Sequence, residues 1–302
     1  MFSSSPKCQL NIFMRPNILL FLLLFLVQQS YSQTNSGDGI PSTMGKWKLT
    51  FAEEFNGSEL NKSEWFTYYP YTNDGSDSCE FCRTHGNENQ IYLDDNVVIK
   101  DGILHLIAKQ EQSVWMGEER PFTSGMIQSK RYFGMGYYEF RARLPLGKGL
   151  WPALWTFGKF SAEIDFMEAG MRKPRIFHIS VHNWDIKTME YKRVRSKTRL
   201  SEDFHTYAME WDTNYLRFYF DGREVWTLCK YTNALGGNPR NCDNTPTRNA
   251  KIQAVFPKRD EKLNVLVNLA IDKEILLPVK RSEVRAEFPL QMEIDYIRVY
   301  SD

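Results

Sequence analysis

Residues 136–147, GYYEFRARLPLG, alternate strictly: Tyr138, Phe140, Ala142 and Leu144 fall on one side of an extended chain, and Tyr137, Glu139, Arg141 and Arg143 fall on the other. A pattern repeating every two residues is that of a strand with one face against a core. It recurs along the chain. VVIKDGILHLIAK (97–109) and LRFYFDGREVW (216–226) are each two apolar runs broken by Asp-Gly, the strongest short hairpin signal. MEIDYIRVY (292–300) closes the chain as a further strand. Apolar residues at helical spacing extend over no more than two turns, and neither an internal repeat nor a second domain is visible. Many short antiparallel strands with turn signals predict an all-β sandwich, one concave sheet facing ligand and one convex sheet facing solvent.

Within 302 residues, 42% hydrophobic and 14% aromatic, there is material for one sizeable core. A net charge of +1 argues against a nucleic-acid partner, which usually demands a strong basic excess. MRPNILLFLLLFLVQQSYSQ (14–33) has Arg15, an apolar run from Ile18 to Val27, then polar and small residues. That run is too short to span a membrane, which takes about 20 residues, and suits the apolar core of a secretory signal peptide. The expectation is a signal peptide over 1–32, with 1–13 an upstream extension if Met14 is the start. A polar linker follows over 33–45, then one catalytic domain over 46–302, secreted (extracellular or periplasmic), without stable membrane insertion after signal removal. Cys8 falls in the leader. Cys79, Cys82, Cys229 and Cys242 remain, and in an oxidising compartment they allow three pairings. Cys229–Cys242, flanking a Gly/Pro/Asn loop, is the first choice; the lone C-x-x-C leaves zinc as a rival.

EIDFME (163–168) concentrates three carboxylates beside the aromatic stretch GLWPALWTFG, with Trp151, Trp155 and Phe157. An amphipathic strand would put Ile164 and Phe166 in the core and Glu163 and Asp165 in water. Yet clustered acids raise one another's pKa, an arrangement stability alone does not favour, and flat aromatic surfaces suit sugar rings. Glycoside hydrolysis needs one carboxyl to protonate the leaving oxygen and another to act at the anomeric carbon. Glu168 lies an odd offset from Glu163, so regular alternation would turn it to the opposite face. A β-bulge after Asp165 would return it. Glu163 is then the candidate nucleophile and Glu168 the general acid and base. Asp165, between them, would keep Glu163 ionised and Glu168 protonated near neutrality.

E-x-D-x-x-E after GLWPALW resembles the bulged signature of glycoside hydrolase family 16, the laminarinase-like β-jelly rolls. TFAEEFNGSELNKSEW, NENQIYLDDNVVIKDGILHLIA, TSGMIQSK, YYEFRARLP, DFHTYAMEW and FPLQMEIDYIRVY follow in the family's order, over about residues 47–300. The resemblance implies a two-sheet jelly roll with an open cleft and endo-acting hydrolysis of a β-glycan with retention. It places Trp151 and the strand FHISVHNWD on the cleft, making His182 and Trp184 substrate-binding candidates, Trp184 at a leaving-group subsite. Asn87 and Glu88 match a segment that contacts sugar at far subsites. His205 and Trp211 match fold positions. No catalytic cofactor is implied; a structural calcium is, held by Asp295 with main-chain carbonyls near Glu54 and at Gly102.

Two departures bear on substrate. Met126 and Gln128 stand where relatives carry charged residues, and the linker before the acids is short. The run KRVRSKTR also puts Arg193, Arg195, Lys197 and Arg199 on one face at strand period, either as a solvated, aggregation-blocking edge or as a site for a sulfated polymer. The function expected is a monomeric endo-hydrolase of β-1,3 or mixed β-1,3/1,4 glucan. The alternatives are a hydrolase of a sulfated algal galactan and, in another class, a non-catalytic carbohydrate-binding sandwich.

Overall fold

The computed structural model describes residues 46–86, 88–230, 242, 250–272 and 286–302. The predicted signal peptide and linker, and Asn87, lie outside the described residues. Two large antiparallel sheets form the body of the described residues, beside two small ladders, Gln90–Tyr92 parallel to Phe122–Ser124 and Ser113–Trp115 antiparallel to Glu118–Arg120. The eight-stranded sheet runs, edge to edge, through Arg223–Cys229, Tyr215–Phe220, His205–Trp211, Gly136–Arg143, Leu290–Ser301, Ile103–Ala108 and Val97–Lys100, with Lys48–Glu53 also paired to Leu290–Ser301. The seven-stranded sheet runs through Thr188–Arg195, Ile176–Asn183, Ala162–Glu168, Leu150–Gly158, Leu263–Ile271, Met126–Ser129 and Trp65–Phe66. Non-sequential neighbours in both sheets give the jelly-roll crossover pattern expected. The α-helix Ala250–Val255 is too short to cross a membrane, and no other helix among the described residues is long and apolar enough to do so.

Alternation builds the core between the sheets. Tyr138, Phe140, Ala142 and Leu144 are all buried there, against Leu154, Ile164, Phe166 and Val267 from the facing sheet. The opposite side of the Gly136–Arg143 strand is not simply solvent: Tyr137 is buried in a second cluster with Ala208 and Tyr219. Both Asp-Gly hairpins form. Asp101 and Gly102 have φ of 55° and 75°, and Asp221 and Gly222 have φ of 48° and 69°, the pair of positive angles a tight two-residue hairpin requires. His205 and Trp211 are fold positions as expected: His205 Nδ1 meets Asp221 Oδ2 at 2.9 Å and Trp211 is fully buried.

The cysteines pair as Cys229–Cys242 and Cys79–Cys82. The C-x-x-C is therefore a disulfide, which leaves no thiolate for zinc among the described residues.

Candidate active site

Along the acid-bearing strand Ala162–Glu168, Glu163 pairs with His182 and Asp165 with Ser180, but Glu168 pairs with His178. Three steps on one strand match two on its neighbour. The other neighbour repeats the slip, since Trp155 faces Asp165 while Leu154 faces Met167. This is a β-bulge at Phe166–Met167. Its chemical origin lies in those two side chains, which are consecutive, apolar and both buried in the core. Phe166 packs edge-on against Phe140 with ring centroids 4.9 Å apart. Two successive residues turned inward leave Glu168 on the outer face with Glu163 and Asp165.

Neighbouring strands then hold the acids by hydrogen bonds. Trp184 donates its indole N–H to Glu163 Oε2 at 2.9 Å, and Trp151 donates to Glu168 Oε1 at 3.2 Å. Ser180 donates its hydroxyl to Asp165, and His182 Nε2 lies 3.2 Å from Asp165 Oδ2 and 3.8 Å from Glu163 Oε1. A further chain runs from Trp155 Nε1 to Asn268 Oδ1 (2.8 Å), from Asn268 Nδ2 to the Tyr92 hydroxyl (3.0 Å), and from that hydroxyl to Glu88 Oε2 (2.9 Å). Gln90 also donates to Glu88. Met126 lies under this chain, buried with Tyr69, Tyr92 and Leu266 against Trp155. It is apolar floor, which explains an uncharged residue at that position.

Burial governs the electrostatics. It pushes Glu163 up to about 8, aided by the Asp165 charge and opposed by the Trp184 N–H and His182. It pushes Glu168 up to about 8 likewise, opposed by His182 and Trp151. Asp165 rises to about 7 for the same reason, against the Ser180 hydrogen bond. Glu88 rises to about 7, again chiefly by burial, with the Glu168 charge adding to it. The separation of the two glutamates expected from the sequence is thus not present in the free site: desolvation outweighs the donors and lifts both together. What the arrangement does ensure is a proton held among closely spaced carboxyls near neutral pH.

Two hollows adjoin at Glu168 and Trp151. One, of about 170 Å³, is lined by Tyr69, His85, Glu88, Trp155, Glu163, Asp165, Trp184 and Asn268 among others. The second, of about 520 Å³, runs the other way over Ser180, His178, His182, Met189 and Tyr191. Trp151 and Trp184 are 40% and 50% exposed, so each keeps a face for a sugar. Trp184, however, lines the hollow of Glu88 rather than the one beyond Glu168, because its ring stacks on His182 and its N–H is committed to Glu163. Every other substrate-binding candidate within the described residues (Trp151, Trp155, His182 and Glu88) lines one of the two hollows. Ser180, Asn268, Tyr69 and His85 were not singled out in the sequence. Ser180 had a readable signal, the strand period it shares with His178 and His182. Asn268, on a strand far along the chain from the acids, had none.

The residues proposed for calcium fit the ion poorly. Asp295, the one carboxylate expected to ligate, is paired with Arg141, while Glu54 forks onto Arg298 at 2.7 and 2.9 Å. Calcium wants six to eight oxygens, and here a guanidinium already neutralises the only charged one. Among the described residues, the group of acids and histidine close enough to share a metal is Glu163, Asp165 and His182, already accounted for by the hydrogen bonds above.

Comparison with known proteins bears on this geometry. The chain is 28% identical over 282 residues to glucan endo-1,3-beta-glucosidase A1 of Niallia circulans, covering 84% of this chain and 38% of that one. It is 27% identical over 302 residues to a beta-glucanase of Rhodothermus marinus, covering 93% of each. The crystal structure of laminarinase from Flavobacterium sp. UMI-01 superposes with a TM-score of 0.59 at 29% identity, covering 84% of this chain and all of that one. Residues 84–257 match the model for glycosyl hydrolases family 16. With its bulged acid strand, its cleft and more than half its length inside that match, the chain belongs to glycosyl hydrolases family 16.

Proposed function

We propose that the protein is a secreted endo-acting hydrolase of β-1,3 or mixed β-1,3/1,4 glucan, working by double displacement with retention. The observation that carries this is the bulge at Phe166–Met167, which sets Glu168 on the same face as Glu163 and Asp165. The relatives named as glucanases support the choice of substrate. Glu163 is the nucleophile, held by the Trp184 N–H, and bonds the anomeric carbon as the leaving oxygen departs. Glu168, aimed by Trp151, gives its proton to that oxygen and then takes one from the water that hydrolyses the glycosyl ester. Asp165, fixed by Ser180 and His182, lies between them and raises both glutamates' proton affinity through its charge. Trp151, Trp155, Trp184 and Glu88 supply stacking faces and hydrogen bonds for the chain on either side of the cleaved bond. Two disulfides suit an oxidising compartment.

The test is a panel of laminarin, lichenan, porphyran and carrageenan, scored by released reducing ends and by NMR of the first-formed anomer. New ends from laminarin or lichenan, with a β-anomer first, are expected. Cleavage of the galactans alone would transfer the assignment to a sulfated galactan, an α-anomer first would exclude retention, and sugar binding with no cleavage at all would favour a carbohydrate-binding sandwich.

A further inference from the structure

The basic run takes no part in the hydrolytic site described above, yet its strand borders it. On the edge strand Thr188–Arg195, Val194 is buried while Met189, Tyr191, Arg193 and Arg195 are exposed, so the odd-numbered side chains share the outer face with the acids. Register makes the relation specific. Glu168 pairs with His178, and His178 pairs with Arg193. The three form one row across the sheet, and two strand spacings put the Arg193 backbone about 10 Å from that of Glu168.

Over that row lies the larger hollow, about 520 Å³, reached from Glu168 and lined further out by His178, Lys173, Arg172 and Tyr191. Asp272 is its other carboxylate. His178 is held below the ordinary imidazole range by burial and by the charges of Arg193 and Lys173, which places both cations within electrostatic reach of it. Among the described residues, no ion pair engages Lys173 or Arg193. Guarding the sheet edge against pairing would account for charge anywhere on this strand. It does not account for Lys173 lining the hollow near exposed Tyr191, with Arg193 one strand beyond His178 on the same face.

We infer that the hollow beyond Glu168 is an anion-recognising leaving-group subsite, with Arg193 and Lys173 meeting a sulfate ester or carboxylate on the sugars released from that side. The inference rests on Glu168 as the proton donor to the leaving chain. Guanidinium and ammonium groups pair with either anion. The aromatic face of Tyr191 adds a platform for the ring that bears it.

The experiment measures kcat/KM of the wild type, Arg193→Gln and Lys173→Gln on laminarin, on laminarin lightly sulfated at C6, and on laminarin oxidised to the carboxylate at C6. Wild type prefers a charged chain over the neutral one. The charged-to-neutral ratio falls about fivefold in each variant, the scale of one partly exposed charged contact, through KM and less so at high salt. The charged substrate that shows the fall identifies the anion. Equal ratios in all three proteins overturn the inference, while failure on neutral laminarin alone bears on the glucanase proposal instead. Binding of the charged chains to Glu163→Gln protein, with and without Arg193→Gln, separates the two. A fivefold loss of affinity supports the subsite; equal or absent binding overturns it.

Discussion

Glu168 stands directly across the strand ladder from His178, on the outer face of the sheet, although its two predecessors Phe166 and Met167 both point into the core. That pairing puts a proton donor on the face that holds Glu163.

Removing the two glutamates separately distinguishes their roles. Glu163→Ala and Glu168→Ala each lower kcat on laminarin by about 10³-fold or more. On an aryl glycoside whose leaving group needs no proton, Glu168→Ala recovers most of the loss and azide accelerates it further, giving the β-azide. Glu163→Ala with azide gives the α-azide. Kinetics with product NMR checks this, and the reverse stereochemistry would exchange the assignments.

Trp184 lowers the proton affinity of Glu163 by donating to its charged form. Trp184→Phe removes the donor and keeps an aromatic ring, so the acid limb of kcat/KM moves to higher pH. A pH–rate profile of both proteins is sufficient; an unmoved acid limb would mean the hydrogen bond does not tune the nucleophile.

The buried acids also make stability fall with pH. Glu163 and Glu168 are raised from about 4.5 in an unfolded chain to about 8 when folded. Between those values the native state binds more protons than the unfolded state, so unfolding free energy drops as pH rises and the loss is complete above about 8. Glu163→Gln should therefore raise Tm at pH 8 by about 2–4 °C, as roughly 1 kcal/mol does in a domain of this size, and change it little at pH 4. Calorimetry at the two pH values measures the difference, and equal shifts at both would contradict it.

Arg141 on Asp295 places a guanidinium where the calcium ion was expected. Chelation with EDTA should leave Tm unchanged, and added calcium should not raise it. Arg141→Ser, which frees the carboxylate, should lower Tm slightly and make it respond to calcium. A strong EDTA effect on the wild type would show that the ion displaces the guanidinium.

Local spacing determined much of this protein. Alternation in GYYEFRARLP selected the faces of a strand, Asp-Gly located two hairpins, and three acids beside a tryptophan-rich strand announced the chemistry. These features depend on residues within a few positions of one another, where backbone geometry alone dictates which side chains meet. Even the bulge was legible, because the acids could share a face only if Phe166 and Met167 both turned inward.

Tertiary structure decided what distant segments do to one another. Asn268 reaches Trp155 and Tyr92 only because Leu263–Ile271 inserts between Leu150–Gly158 and Met126–Ser129. Trp184 faces Glu163 because its strand ends beside the start of the acid strand. The lifted proton affinities come from desolvation by many walls at once, and Arg193 joins the row of Glu168 through a ladder of pairings. Burial and cross-strand register are properties of the assembled sheets, so no window of sequence contains them.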